Sequence, residues 1–360
     1  MNILRITFVG WTMAMALAMS PAAHPAGFTD VLDTPSVMSP LATKSLLQAV
    51  TRVGDRIVAV GQRGHIVISS DGGASWKQSP VPVSSDLTAV YFVDDKQGWV
   101  VGHDGVILRT GDGGERWDVQ LNGLTANDLL VAAMEKKLAA EPASEEAKKL
   151  LAEAQRYKEQ GADKPFLDVW FADTLNGYAV GAYNLIFKTA DGGKSWEPWF
   201  DRTENPKFFN LYAIRPAAGA LYIAGEGGLV MKLDTAAQRF KAVSPQYNGS
   251  LFGLADAKNA VVVYGLRGNV FRSEDSGAHW SKVNAGLPAA VVGSTRTAQG
   301  ALVLADVGGR LVASNDGAQT FTPLSLKNPM PLTAIADVGE GRFALTGPRG
   351  VAVAEAAAAR

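Results

Sequence analysis

The stretch Ser69-Ser70-Asp71-Gly72-Gly73-Ala74-Ser75-Trp76 decides the fold, because it returns four more times along the chain. Residues 110–117 and 189–196 are close copies, and residues 273–280 and 314–321 are weaker ones. All five fit the pattern Ser/Thr-x-Asp-x-x-x-x-aromatic, mostly with glycine after the aspartate. The aspartates and aromatic residues are Asp71 and Trp76, Asp112 and Trp117, Asp191 and Trp196, Asp275 and Trp280, and Asp316 and Phe321.

This pattern is the Asp box, and its residue types indicate a structural turn. The aspartate can accept hydrogen bonds from nearby backbone N–H groups, and glycine permits a positive φ. The aromatic residue can fill the space beside the turn. Sialidase-like enzymes carry the same box, but five copies in one chain cannot all be active sites. We therefore interpret the boxes as structural.

A second marker, an apolar strand that ends in a glycine-rich turn, shows that the repeat has seven units. The spacing is roughly 40 residues, the length of one four-stranded propeller blade, with a single gap near twice that length. The sequence thus predicts an all-β, seven-bladed β-propeller over residues 28–360. The seven turns are Val60–Gly64, Val101–Gly105, Val180–Asn184, Ala224–Gly228, Tyr264–Gly268, Ala305–Gly309 and Thr346–Gly350.

The seventh unit has room for only three strands before the chain ends. Residues 28–33 resemble the start of the outer strand in unit six and precede the first inner strand. An exposed sheet edge invites aggregation, so closing the ring with an N-terminal strand would remove a liability. We therefore expect residues 28–33 to supply the missing fourth strand.

The double-length gap contains an insertion, residues 125–164, that is rich in Ala, Glu, Lys and Leu. Thr125–Asp128 resembles a capping box, and Ser144 and Gly161 suit the start and end of a second helix. The sequence predicts a helical hairpin between blades 2 and 3 that the blades do not need for folding. Two interpretations remain open, a hairpin packed on its own apolar faces and a partner-binding arm.

Composition and the N-terminus narrow the class of protein. The chain has 360 residues, 47% of them hydrophobic, and a net charge of -1, which argues against nucleic-acid binding through bulk charge. Residues 1–23 read as a signal peptide, so we expect a periplasmic or secreted monomer with no membrane insertion after cleavage. An uncleaved membrane tether is the alternative. The absence of cysteine excludes disulfides and thiolate metal sites.

No catalytic, metal or cofactor motif is apparent, and we expect none of these sites. The four histidines do not have the spacing of a metal site. A glycosidase would need two facing carboxylates, for which the equivalent turns offer Asp104, Glu226 and Asp306. The Phe/Tyr-Arg-Ile-Pro motif of sialidases is not in the sequence, which argues against this activity.

The same turns carry positive charge. Arg63, Arg267 and Arg349 occupy equivalent turn positions, so they should share one face of the ring. By the geometry of a blade, the helical insertion should lie on that face too. Guanidinium groups suit carboxylate recognition, which makes these arginines candidates for partner binding. The alternative is three solvated turn residues.

The repeats and the seven-unit count make the chain resemble the photosystem II stability/assembly factor-like family of Asp-box propellers, in its non-photosynthetic bacterial branch. The resemblance covers about residues 28–360 and includes Gly98–Gly102, Arg109–Gly114 and Lys164–Phe171. It implies a role in assembling membrane proteins through an arginine-rich surface. Bacterial members are often encoded beside resistance-nodulation-division (RND) type exporters, which implies a periplasmic accessory to a membrane complex. The helical insertion departs from the family pattern.

Two functions follow as hypotheses. The first is a non-catalytic periplasmic scaffold or assembly factor that binds a membrane protein complex, with an RND-type exporter as one candidate. The second is a carbohydrate-active propeller, either a glycoside hydrolase or a lectin. The first predicts a binding face that extends onto the insertion, and the second predicts a central pocket with paired acids and stacked aromatic residues.

Overall fold

The computed structural model describes residues 29–358, so the predicted signal peptide lies outside the described residues. Antiparallel strands form seven blades. Blades 1 and 2 contain β1 (Leu47–Val53), β2 (Arg56–Gly61), β3 (Ile66–Ser69), β4 (Lys77–Ser79), β5 (Leu87–Phe92), β6 (Gly98–Gly102), β7 (Ile107–Thr110) and β8 (Asp118–Leu121). Blades 3 and 4 contain β9 (Phe166–Phe171), β10 (Gly177–Gly181), β11 (Ile186–Thr189), β12 (Glu197–Pro198), β13 (Leu211–Ala217), β14 (Ala220–Gly225), β15 (Val230–Asp234) and β16 (Arg239–Ala242). Blades 5 to 7 contain β17 (Leu251–Ala257), β18 (Ala260–Gly265), β19 (Val270–Ser273), β20 (Ser281–Val283), β21 (Val291–Arg296), β22 (Leu302–Asp306), β23 (Leu311–Ser314), β24 (Thr322–Leu326), β25 (Ala334–Gly339), β26 (Arg342–Gly347) and β27 (Gly350–Ala358).

The first strand of each blade contacts the first strand of the next blade, and β25 contacts β1, so the ring is closed. The prediction of a seven-bladed β-propeller is confirmed. The apolar core lies between the blades. Several buried clusters contain apolar residues from two neighbouring blades. In one of them, Val58 of blade 1 packs with Val100 and Trp117 of blade 2. Sheets packed face to face in this way bury their strands on both sides, which explains why the second strands are almost wholly apolar.

The expected N-terminal closing strand is wrong. Phe28 lies outside the described residues, and residues 29–33 form no strand. Val31 instead accepts a hydrogen bond from the backbone N–H of Ser84, beside blade 1. Blade 7 keeps three strands because its last strand, β27, is long enough to leave the blade and pair with β24 of blade 6, with Ala356 opposite Leu326. The outer edge of β24 in blade 6 is thus covered by the C-terminal strand.

The two chain ends should therefore respond differently to deletion. Removing residues 356–360 is expected to expose the edge of β24 and promote aggregation, since an unpaired edge strand can pair with another chain. Removing residues 29–33 should leave the protein monomeric. Light scattering of both variants during a thermal ramp measures the difference, and equal aggregation of the two would contradict the closure described here.

Each Asp box forms the turn between the third and fourth strands of its blade. In blade 1, Ser75 donates its backbone N–H to the Asp71 carboxylate at 2.9 Å. Gly73 donates its own N–H to the Ser69 hydroxyl at 2.8 Å. The same two kinds of bond occur in the other four boxes. The box also packs on the preceding blade, because a Cβ at Gly73 would lie 2.3 Å from Val353 of blade 7.

These hydrogen bonds make the boxes sensitive to acid. The hydroxyl and N–H of Ser75 lower the pKa of Asp71 to about 2, and Ser195 does the same for Asp191, also to about 2. Because the folded-state pKa lies below the unfolded value, the stabilisation is complete above about pH 4 and is lost as pH falls through about 2. We expect the melting temperature to fall between these values. An Asp191→Asn variant should be less stable at pH 7 and less pH-dependent below pH 4. A melting temperature that is constant between pH 4 and pH 2 would contradict this account.

The insertion forms a helical hairpin of α1 (Gly123–Ala140) and α2 (Glu145–Gln160). Its predicted capping box at Thr125 is wrong. Asn122, directly after β8, caps α1 by accepting the N–H of Thr125 at 3.0 Å. Ser144 and Gly161 bound α2 as predicted. Within residues 29–358, neither helix is long and apolar enough to cross a membrane.

The hairpin also packs against the ring. Tyr157 of α2 is fully buried and contacts Phe200, which lies in the connection between blades 3 and 4 and is itself 1% exposed. Lys137 of α1 forms an ion pair with Asp201 at 3.3 Å. The hairpin therefore packs on this connection as well as on its own apolar faces, and the independence of folding from the hairpin stays a prediction.

Candidate partner-binding face

The arginine face is the end of the ring that carries the turns between second and third strands and the connections between blades. Arg63 and Arg267 are the middle residues of equivalent turns, with φ of 55° and 58°. Arg349 lies in the matching turn of blade 7, and all three side chains are exposed. Blades 7 and 1 are neighbours, so Arg349 and Arg63 occupy adjacent turns, whereas Arg267 lies across the ring on blade 5.

The helical hairpin lies on this same face. The Tyr157 hydroxyl donates a hydrogen bond at 2.9 Å to the carbonyl oxygen of Tyr183, which is the middle residue of the blade 3 turn. At the other helix, a Cβ on Gly105 of the blade 2 turn would lie 2.6 Å from the Cα of Gly123. The insertion is thus seated on the turns of blades 2 and 3.

A further element of the arginine face was missed by sequence reasoning. Residues 36–45 cross the face from the turn of blade 1 to the turn of blade 7. The Ser36 hydroxyl donates to the Arg63 carbonyl at 3.0 Å, and a Cβ on Gly350 would lie 1.8 Å from the carbonyl oxygen of Thr43. This segment presents Val37, Met38 and Leu41 to solvent. Its sequence carries no motif that marks a binding surface, and only its position between two arginine-bearing turns makes it part of the candidate face.

Exposed apolar side chains concentrate on the arginine face and its insertion. Ten large hydrophobic residues are exposed within the described chain, and eight of them lie there. Clusters of exposed apolar side chains mark interaction surfaces more often than scattered ones do. Val119 on β8 and Leu175 at the opposite end are the two others. The eight are Val37, Met38, Leu41, Leu124, Leu129, Tyr183, Leu266 and Val307.

An acidic and a basic side chain accompany Arg63 on the arginine face. The Asp86 carboxylate accepts the backbone N–H of Arg63 at 2.7 Å, which helps to hold the turn. Burial and the Arg63 charge lower the pKa of His65 beneath it, so that histidine is neutral at pH 7. Lys44 is exposed on the crossing segment between Arg63 and Arg349.

The three carboxylates that the sequence offered for glycoside hydrolysis do not line the central channel. Two of them accept hydrogen bonds from nearby backbone N–H groups. Glu226 accepts the N–H of Asn210 at 3.2 Å, and Asp306 accepts the N–H of Arg310 at 2.9 Å. Two carboxylates line the channel among the described residues. Asp168 forms an ion pair with Arg215 at 2.6 Å, and Asp256 forms one with Arg296 at 2.9 Å. Burial raises the pKa of Asp168, and the Arg215 charge opposes this shift.

The fold and the face together define a β-propeller with exposed arginines on one end of the ring. The family model described as photosynthesis system II assembly factor YCF48 matches residues 32–111, 74–135 and 149–332. The chain belongs to this family. The matches leave out residues 136–148, which contain the end of α1, the turn and the start of α2.

Individual relatives are distant. The chain is 22% identical over 307 residues to the chloroplastic photosystem II stability/assembly factor HCF136 of Arabidopsis thaliana, which covers 75% of each chain. It is 27% identical over 161 residues to the photosystem II assembly lipoprotein Ycf48 of a Synechococcus strain, covering 43% of this chain and 47% of that one.

Solved structures confirm the architecture. YCF48 bound to D1 peptide superposes with a TM-score of 0.62 at 14% identity, covering 89% of this chain and 96% of the other. A streptogramin B lyase superposes with a TM-score of 0.65 at 11% identity, covering 90% and 97%. Because an assembly factor and a lyase superpose about equally well, these likenesses show the fold alone.

Proposed function

We propose that this protein is a non-catalytic assembly or accessory factor that binds a membrane protein through the arginine face. The observation that carries the proposal is the coincidence, on one end of the ring, of three exposed turn arginines and eight of the ten large apolar side chains that are exposed among residues 29–358. The family supports it, since relatives are named as photosystem II assembly factors and one was solved bound to a D1 peptide.

The chemistry of the face defines the kind of segment it would recognise. Guanidinium groups pair with carboxylates, and the exposed apolar side chains gain by leaving water. A loop or tail of a membrane protein that carries both acidic and apolar residues meets both requirements. The insertion would extend this contact, because it is seated on this face and Leu124 and Leu129 of α1 are exposed.

The proposed compartment is the periplasm. Residues 1–23 carry a basic residue, Arg5, near the start, continue with an apolar run and end with small residues, as a secretory signal does. The partner would then be an envelope complex, and an RND-type exporter is the candidate implied by the family resemblance. A carbohydrate-active role is less well supported, because it needs two facing carboxylates, whereas Asp168 in the channel is paired with Arg215.

Site-specific photo-crosslinking tests the face directly. Tyr183 on the arginine face and Leu175 at the opposite end are both 51% exposed, so a benzoylphenylalanine at each position has the same access to solvent. We expect the probe at position 183 to capture an envelope membrane protein in living cells, and the probe at 175 to capture none. Mass spectrometry identifies the captured protein.

A charge variant provides the control for that experiment. Replacing Arg63, Arg267 and Arg349 together by alanine should abolish the cross-link at position 183 without lowering the melting temperature, because all three side chains are exposed. Wild-type capture should weaken with added salt, as expected for charge recognition. Equal capture by the triple variant, or equal capture at position 175, would reject the arginine face as the binding site.

A further inference from the structure

The central channel departs from the sevenfold repeat in three adjacent blades. The register of the first two strands defines equivalent positions in every blade. At the fifth position, blades 2, 3 and 4 carry Tyr91, Trp170 and Arg215. The other four blades carry small residues there, namely Thr51, Ala255, Thr295 and Ala336.

These large side chains form one wall of a cavity of about 290 Å³, and Ala255 and Thr295 lie among the residues that line its other side. The Arg215 guanidinium lies 5.9 Å from the centre of the Tyr91 ring. Trp170 lines the same cavity. A cation beside two aromatic rings therefore faces open space in the channel, away from the arginine face.

Arg215 is held in place by one of its terminal nitrogens. Nη1 donates to the Asp168 carboxylate and to the Ile214 carbonyl, each at 2.6 Å. Nε and Nη2 donate no hydrogen bond to any described residue, and the side chain is 34% exposed. The guanidinium is thus fixed in orientation while part of its donor set remains free for a ligand.

The buried partner of Arg215 is also an exception to the repeat. At the third position of the first strand, the other six blades have alanine or glycine, whereas blade 3 has Asp168. Burying the Asp168 carboxylate carries a desolvation cost, and packing of the blades does not require this charge. Asp168 is therefore a charged residue that the repeat lacks elsewhere, and its contact with Arg215 orients that side chain inside the channel.

We propose that this lumen pocket, defined by Tyr91, Trp170, Arg215 and Ala255, binds a small aromatic carboxylate. The carboxylate would pair with the free donors of Arg215, and the ring would pack against Tyr91 and Trp170. A cavity of about 290 Å³ is at the small end of ligand sites, which suits a one-ring or two-ring acid. The site goes beyond the proposed function, since it needs neither the arginine face nor a protein partner.

Fluorine NMR of the full protein tests the site with 4-fluorobenzoate as the probe. We expect saturable binding, and about tenfold weaker binding of 4-fluorobenzyl alcohol, which keeps the ring and lacks the charge. Arg215→Gln should weaken 4-fluorobenzoate binding by a similar factor. The triple arginine variant of the arginine face should bind as the wild type does.

A cavity-filling variant keeps the test independent of the buried ion pair. Ala255→Phe places a ring in the pocket from the opposite wall and leaves Asp168 and Arg215 unchanged, so it should abolish binding while the melting temperature stays within a few degrees of the wild type. Non-saturable binding to the wild type, equal binding of the alcohol, or unchanged binding to Ala255→Phe would each overturn the proposal.

Discussion

Replacing Trp196 by alanine is expected to lower the free energy of unfolding by about 3–5 kcal/mol, the range for a buried aromatic side chain. Trp196 is 5% exposed and packs edge to face with Phe171 of its own blade at 6.0 Å between ring centres. Phe171 in turn stacks on Trp99 of blade 2. The substitution therefore opens a void at the interface between blades 2 and 3, where neighbouring strands cannot collapse without breaking their ladders.

A conservative variant separates packing from hydrogen bonding at this position. The indole nitrogen of Trp196 has no hydrogen-bond partner among the described residues, so Trp196→Phe removes an unsatisfied donor along with part of the ring. We expect Trp196→Phe to be much closer to wild type than Trp196→Ala. Urea unfolding followed by circular dichroism measures both, and an unchanged midpoint for Trp196→Ala would remove the physical basis of the box interpretation.

Deleting the helical hairpin is expected to have the second large effect, on both stability and binding. A short Gly/Ser turn in place of residues 123–162 uncovers Phe200, which is 1% exposed, and breaks the ion pair of Lys137 with Asp201. Loss of the contacts around one such aromatic residue is worth about 2–4 kcal/mol. The blades keep their own ladders and interfaces, so unfolding should stay cooperative. Partner capture at position 183 should be lost.

A second variant distinguishes loss of a binding surface from loss of stability. Leu124→Ser together with Leu129→Ser alters two exposed residues of α1 and leaves the contact of Tyr157 with Phe200 intact. We expect this variant to melt like the wild type and to weaken partner capture by about tenfold, a change of 1.4 kcal/mol. Full capture by both variants would show that the hairpin serves packing alone.

The sequence determined the repeat, the number of blades and the box turns, because these depend on residues close together in the chain. Gly73 and Asp71 define a turn within eight residues, and apolar runs such as Val100-Val101 define the strands beside it. Ser144 and Gly161 bound the second helix for the same local reason. Stacking identical units then leaves little freedom in the overall architecture.

Only the tertiary structure decided how the ring closes and which surfaces coincide. β27 pairs with β24, although the residues from Phe28 onward resemble the start of an outer strand. Strand pairing depends on which sheet edge a segment can reach, and the pattern of a segment does not show this. The docking of Tyr157 of the insertion on Phe200 joins residues far apart in the chain, and the meeting of Tyr91, Trp170 and Arg215 in the channel joins residues from three blades. Such contacts leave no periodic trace in a sequence, since each is a departure from the repeat that defines the fold.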